Sequence, residues 1–266
     1  MPRVKRSEAE QDIVDSAGSE FLEALARGLR VIEAFGSDRR QLTLSDAARA
    51  VDLPRASVRR TLHTLVQLGY AETDGRMFRL TPRILTLAGS YLLSNPLSEI
   101  LQPAVERISA QVKDVCSTAV LDGDDVVMIA HASPNRLMAV SAQIGFRIPA
   151  HASSLGRVIL AALDDRALDK HLAGIKPTKL TPTTVTDKNE IRKAIVKARH
   201  DGYSLVDQEV ELGFRSLSVP LRRLDGKVIA ALNIGIHTER GTPVMMLKTF
   251  LPILTEASNR LQRQLI

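Results

Sequence analysis

The stretch LTLSDAARAVDLPRASVRRTLHTLVQLGYAETDGRMFRLTPRILTLA, from Leu42 to Ala88, decides the fold of the N-terminal part of the chain. Thr43 or Ser45 can cap a short helix carrying Ala47, Ala48 and Val51, with Asp46 near its positive end. Asp52-Leu53 breaks that run. Pro54 suits the first position of a second helix, whose core-facing Val58, Leu62, Leu65 and Val66 recur at three- and four-residue steps until Gly69 stops it. Tyr70-Ala71-Glu72 and Met77-Phe78-Arg79-Leu80 then read as two short strands. Between them Thr73-Asp74-Gly75-Arg76 holds an Asp-Gly pair that tolerates positive φ, so a hairpin is expected.

Upstream, Phe21, Leu25, Leu29, Val31, Ile32 and Phe35 follow helical spacing between Glu20 and Phe35, and Gly36 ends the run. Three helices followed by a basic hairpin predict a winged helix-turn-helix over residues 19–81, the geometry that fills a DNA major groove. On a wheel of the second helix of the quoted stretch, Ala56, Arg59, Arg60 and His63 point away from the Val58/Leu62/Leu65 stripe, flanked by Ser57 and Thr64. From Leu53 to Arg83 there are six arginines against Glu72 and Asp74, a local net charge of +4. Arg55, Ser57, Arg59, Arg60 and His63 are therefore the candidate DNA contacts on the helix, and Arg76 is the candidate at the hairpin tip. The competing reading is a small protein-interaction module with a solvated basic face.

Residues 1–18 carry no apolar period and read as a flexible tail, in which Arg3, Lys5 and Arg6 are further possible DNA contacts. Thr81-Pro82 opens a linker helix over residues 82–96, interrupted at Asn95-Pro96. Its Leu85, Leu92 and Leu93 serve either packing within one chain or a dimer contact. Residues 97–266 form the second expected domain. Ser117–Leu121 and Val126–His131 flank the turn Asp122-Gly123-Asp124-Asp125, and Leu137–Val140, Phe146–Ile148, Tyr203–Val206, Arg215–Val219 and Val228–Ile236 continue as strands. Helices are expected at Ser153–Leu163, Asp187–His200 and from Pro243 onward. Strands and helices do not alternate regularly, so the fold class is α+β with a mainly antiparallel sheet.

The quoted stretch resembles the winged helix of the isocitrate-lyase-regulator (IclR) family. The resemblance extends to GFRIPAHASSLGRVILAAL (Gly145–Leu163) and GYSLVDQEVELGFRSLSVPLR (Gly202–Arg222), which are similar to that family's effector-domain signatures. DQEVELGFRSLSVP looks most like the branch controlling protocatechuate, p-hydroxybenzoate and β-ketoadipate catabolism. Ser216 stands where many members have Cys, and Ser154-Leu155 where others carry Gly-Ala. The resemblance implies a GAF-like effector domain, a small acid as ligand, operator DNA as partner, and a homodimer or tetramer. It also implies pocket roles for Ser154, Leu155, Asp207, Ser216, Asn233 and Gly235, with Met128 and Met138 as apolar walls.

Read from the residues themselves, His151-Ala152-Ser153-Ser154-Leu155-Gly156-Arg157 is where a strand ending at Pro149 feeds a helix. Its first amides and the hydroxyls of Ser153 and Ser154 favour an anion, although the same serines can be plain helix caps. Arg147 and Arg215 adjoin this segment, and each either holds a carboxylate bidentately or forms an outward salt bridge. His151 beside two serines raises a small-acid hydrolase as an alternative, but no G-x-S-x-G elbow is present. The six histidines show no paired metal spacing, Cys116 is the single cysteine, and no Gly-rich phosphate loop occurs, so no metal or cofactor is expected. A single cysteine fits a reducing cytoplasm. The first twenty residues lack the apolar core of a signal peptide, and the longest uncharged stretch, Ile84–Ser98, is too short and polar to span a membrane. The reading is a ligand-responsive DNA-binding regulator. The alternatives are a sensor for another catabolic operon, an enzyme on small acids, and an architectural DNA-binding protein without ligand.

Overall fold

The computed structural model describes residues 18–36, 39–94, 96–134 and 143–265. The tail cations, the expected strand Leu137–Val140 and the pocket candidate Met138 lie outside the described residues. The chain divides after Ser94 into two compact units.

In the first unit, α1 (Glu23–Glu33), α2 (Leu44–Ala50) and α3 (Arg55–Gln67) pack through Val31, Ala47, Val58, Leu62 and Leu65. Thr43, rather than Ser45, caps α2. Its Oγ1 accepts from the Asp46 amide at 3.2 Å and donates to the Asp46 carboxylate at 2.6 Å. Pro54 is the N-cap of α3, one place earlier than expected, and its carbonyl accepts from Val58 N at 3.1 Å. Gly69 follows the helix with φ +76, a left-handed conformation that glycine reaches without steric cost. The wing strands β2 (Ala71–Thr73) and β3 (Met77–Leu80) are antiparallel, and Asp74 closes their turn by accepting from the amides of Arg76 at 2.9 Å and Met77 at 2.7 Å. An unexpected two-residue strand, β1 (Leu42–Thr43), pairs Leu42 with Phe78 and completes a three-stranded sheet in the order β1-β3-β2. Tyr70 falls outside the wing strands and lies beneath the Arg83 guanidinium, 5.3 Å from ring centroid to Cζ. A 3₁₀ turn at Pro82–Ile84 leads into α4 (Leu85–Ser94).

The second unit opens with α5 (Pro96–Val112) and is built on an entirely antiparallel six-stranded sheet. Its strands are β4 (Val115–Asp122), β5 (Asp125–Ala132), β6 (Arg147–Pro149), β7 (Ser204–Asp207), β8 (Phe214–Arg222) and β9 (Val228–His237), in the order β6-β5-β4-β9-β8-β7. One sheet face presents Cys116, Leu217, Val219, Leu232 and Ile234 to Leu101, Val105 and Ile108 of α5 and to Leu254 and Leu261 of α9 (Leu251–Gln262). The other presents Ala119, Val126, Met128 and Ala231 to α6 (Ser154–Leu160), α7 (Asp165–Gly174) and α8 (Lys188–Asp201) through Leu155, Leu168, Ile191 and Ile195. Each fully buried Leu or Ile contributes on the order of 2 kcal/mol, so the sheet is a rigid floor for whatever lies on it. Helix α7, capped by Asp164, was not expected, and α6 is shorter than the Ser153–Leu163 span. The helix from Pro243 is interrupted by a π-helical stretch, Met246–Phe250, before α9 begins. Among the described residues no helix is long and apolar enough to cross a membrane.

Candidate DNA-reading face and effector site

Helix α3 buries Val58, Leu62 and Leu65 and leaves Arg55, Arg59, Arg60 and His63 exposed, with Ser57 half-buried at their edge. The 3.6-residue period forces this partition, because the stripe that holds α3 on α1 and α2 leaves the opposite side to solvent. Arg76 lies exposed at the tip of the wing turn. Arg79, behind it, is held by Glu72 across the strands at 2.5 Å, and Arg49 by Asp46 at 3.3 Å. The wing and α3 therefore present arginines of two kinds, those fixed by a carboxylate and those open to phosphates or base edges.

In the second unit the sequence-expected serines converge. Ser154, the first residue of α6, lies 2.7 Å by Oγ from both Ser216 and Ser218 of β8 and is 1% exposed. Ser216 and Ser218 are two residues apart on one strand, so they share a face, and that face is the one turned to α6. Ser153 caps α6, accepting from Gly156 N at 2.9 Å. Leu155 and Met128 are core residues of the layer between sheet and helices. Asn233 and Gly235 sit on β9 opposite Ser218 and Ser216. Gly235 is required by packing, since a Cβ there would overlap the Phe214 ring that lies across it.

Other candidates have structural partners. Gly156 packs against the backbone of Ala150, which leaves no room for a Cβ, and its amide is taken by the Ser153 cap. Asp207 and Arg215 pair with each other at 2.8 Å, and Arg215 also donates to the carbonyls of Thr238 and Gly241, tying the β7–β8 end to the segment after β9. Arg147 forms the outward salt bridge, to Asp122 at 2.6 Å and Asp125 at 3.1 Å.

Sequence reasoning missed several members of this layer. Arg157 and Glu209 form a bidentate pair, 2.7 Å at both ends and almost fully buried. Arg157 Nε also donates to the His151 carbonyl at 2.8 Å, and Glu209 accepts from Val185 N at 3.0 Å. The pair locks α6 to the loop before β8. Its two members stand 52 residues apart, so neither carries a local sign of the other. Ser218 was recoverable from the two-residue step to Ser216. Ser117 of β4, whose Oγ lies 2.8 Å from His131 Nδ1 of β5, carried no local signal. Burial holds both His131 and His151 below the ordinary histidine value.

Comparison with known proteins supplies the frame for both surfaces. The IclR helix-turn-helix domain matches residues 24–75, and the bacterial transcriptional regulator IclR C-terminal domain matches residues 89–263. The Pca regulon regulatory protein of Pseudomonas putida is 41% identical over 99% of this chain and 91% of its own length. The p-hydroxybenzoate hydroxylase transcriptional activator of Acinetobacter baylyi is 34% identical over 91% of this chain and 92% of its own. Among solved structures, a transcriptional regulator from a Rhodococcus species superimposes with a TM-score of 0.80 at 41% identity, covering 92% of this chain and 98% of that one. An IclR homologue from Microbacterium hydrocarbonoxydans, complexed with 4-hydroxybenzoate, does so with a TM-score of 0.75 at 30% identity, covering 91% and 99%. The relatives are transcriptional regulators that match this chain over nearly its whole length, which sets aside the enzyme and interaction-module readings. The chain belongs to the IclR family of bacterial transcriptional regulators.

Proposed function

We propose that this regulator controls genes for the catabolism of aromatic acids and responds to a small carboxylate, an aromatic acid or a β-ketoadipate-like one, held where α6 meets strands β8 and β9. The observation that carries the reading is the hydroxyl cluster of Ser154, Ser216 and Ser218, gathered at the first residue of a helix beside the apolar side chains of that layer. Hydroxyls and the first amides of α6 supply donors to a carboxylate, while Met128 and Leu155 offer apolar walls to a ring. The names of the relatives support it: two regulate Pca or p-hydroxybenzoate genes, and a neighbour of known structure holds 4-hydroxybenzoate.

At the other unit, Arg55, Arg59, Arg60 and His63 of α3, with Ser57, enter the major groove, and Arg76 of the wing contacts the backbone or minor groove. A single recognition helix covers few base pairs, so the active species is a homodimer or tetramer on a palindromic or repeated operator. The working boundaries are a tail to residue 18, the winged helix over 19–81, a linker over 82–96 and the effector domain over 97–266. The test is a gel-shift titration of the protein on its own promoter region at fixed near-physiological salt, with and without protocatechuate, 4-hydroxybenzoate and β-ketoadipate. Sequence-specific binding changed by one of these acids is the expected result. Absence of any specific shift, or a shift indifferent to every acid, overturns the proposal.

A further inference from the structure

On the sheet face opposite the effector site we propose a second small-molecule site, a groove between α5 and α9 that takes a medium-chain carboxylate. The groove has a volume of about 270 Å³. Its floor is apolar, made by Ile108 of α5 with Ile253 and Leu261 of α9, all part of the core built on this face of the sheet. Ala104 and Ala257, one on each helix, leave open a space that larger side chains would close. The lining runs from Ala104 to Gln111 on α5 and from Ile253 to Leu261 on α9. At about 1.5 Å of rise per residue each helix borders the groove for roughly 10–12 Å, a length that suits an extended chain of several methylenes.

The rim is cationic. Arg107 and Arg260 border the groove with a single carboxylate, Glu256, so the site carries a net charge of +1. Glu256 holds Arg260 at 2.7 Å, an exposed pair four residues apart on one helix, of the kind that water screens and that a ligand displaces at little cost. Arg107 pairs with no carboxylate among the described residues. Its Nε donates to the Pro103 carbonyl at 3.3 Å, which folds the side chain back along α5 and leaves the two terminal nitrogens for a ligand. A guanidinium offers a carboxylate two parallel hydrogen bonds. A charged head at Arg107 and a chain lying over Ile108, Ile253 and Leu261 therefore answer both halves of the lining. A second copy of the chain is the poorer occupant. In a two-fold contact centred here the patch meets itself and sets Arg107 and Arg260 against their own counterparts.

Both walls are fixed to the sheet without help from a ligand. Gln102 of α5 bonds the backbone of β5, its side-chain oxygen accepting from His131 N at 3.1 Å and its Nε2 donating to His131 O at 3.1 Å. On α9, Ser258 Oγ donates to the Pro220 carbonyl of β8 at 2.7 Å, and Gln262 Nε2 donates to the Arg223 carbonyl just past that strand at 3.1 Å. A groove between anchored walls is preformed, as small-molecule sites usually are. Strand β8 turns Leu217 and Val219 to this layer and Ser216 and Ser218 to α6, so the sheet itself separates the two sites.

Calorimetry on the full-length protein with octanoate, butyrate and 1-octanol tests this. Octanoate should bind at least about tenfold more tightly than butyrate, which has the charge and too little chain. It should also bind at least about tenfold more tightly than 1-octanol, which has the chain and no charge. Arg107 is exposed, so Arg107→Gln should fold normally, and it should bring octanoate to within about threefold of 1-octanol. Ala257→Leu, which fills the groove, should weaken octanoate at least about tenfold. For a readout that needs no variant, the side-chain methyl resonances of Ile108 and Ile253 in the wild type should move on adding octanoate. No saturable binding of octanoate, equal binding of octanoate and 1-octanol by the wild type, or an affinity that survives both variants overturns the site. Octanoate that moves the methyls of Ile159 and Ile191 instead has entered the effector layer and overturns it too. A wild-type oligomer that Ala257→Leu dissociates in sedimentation velocity, with octanoate unbound, gives the groove to a second copy.

Discussion

At the scale of single residues the effector unit depends on a few positions whose chemistry leaves little choice. The Arg157–Glu209 pair is taken almost wholly out of water, so removing one partner strands the other charge in the interior. Arg157→Met should destabilise the effector unit by about 3–5 kcal/mol, and the double variant Arg157→Met/Glu209→Leu should recover much of that loss, because the burial of an uncompensated charge is the larger cost. Urea unfolding of the wild type, single and double variants checks both statements. Gly156→Ala should destabilise by about 1–3 kcal/mol, since its methyl overlaps the Ala150 backbone, which cannot swing aside as a side-chain tip can. The histidines set a pH response. Desolvation is the main cause that lowers His131 and His151 from 6.5, so their folded-state values lie below their unfolded ones. The stability this represents is complete above the unfolded value and is lost as pH falls from 6.5 through the lower folded values. Chemical denaturation should therefore show a fall between pH 7.5 and 5.5, and His131→Gln should make it shallower; an unchanged slope would exclude His131 as a contributor.

At the scale of elements, the partition of arginines between α3 and the wing predicts two different kinds of damage. Arg59→Ala, on the exposed face of α3, should change which operator variants are preferred, at about 1–3 kcal/mol for the base it reads. Arg76→Ala, at the wing tip, should weaken binding to many sequences and reduce the salt slope by about one phosphate contact. Binding titrations on an operator panel at several salt concentrations separate them; equal and negligible effects would remove α3 from the groove. These elements were legible because their signals are local: Val58, Leu62 and Leu65 repeat with the helical period, and Asp74-Gly75 marks its own turn. What escaped was either short or non-local. Strand β1 is two residues long and exists only because Leu42 meets Phe78 across the wing. Helix α7 buries only Leu168 and Leu172 in a charged sequence, which leaves hardly a stripe to read. Within the site, Ser154 and Ser216 were reachable through motif resemblance, and Ser218 through the two-residue period. The pairing of Ser117 with His131 and with Asn233 depends on strand register across β4, β5 and β9, which no local pattern encodes.

At the scale of the whole molecule, each unit has its own core, one around Val31, Val58 and Leu62 and the other on two faces of a six-stranded sheet, so sensing and reading are carried by separately packed bodies. A ligand on one body shifts operator affinity only by its differential affinity for the arrangements that bind operator well and badly. That requirement has a quantitative consequence that does not depend on the route of coupling. If a saturating aromatic acid changes operator affinity by some factor, saturating operator must change the affinity for the acid by the same factor, with values of about 5- to 150-fold typical of such coupling. Fluorescence anisotropy gives the first factor, from operator titrations with and without 4-hydroxybenzoate. Calorimetry gives the second, from acid titrations with and without operator duplex. Agreement between the two is the expected outcome and places both ligands on one thermodynamic cycle. Disagreement would mean that a third equilibrium, such as a change in subunit association, differs between the experiments, and repeating both at several protein concentrations would expose it as a concentration-dependent ratio. A factor of one in both directions would show that acid binding, however tight, does not drive the switch.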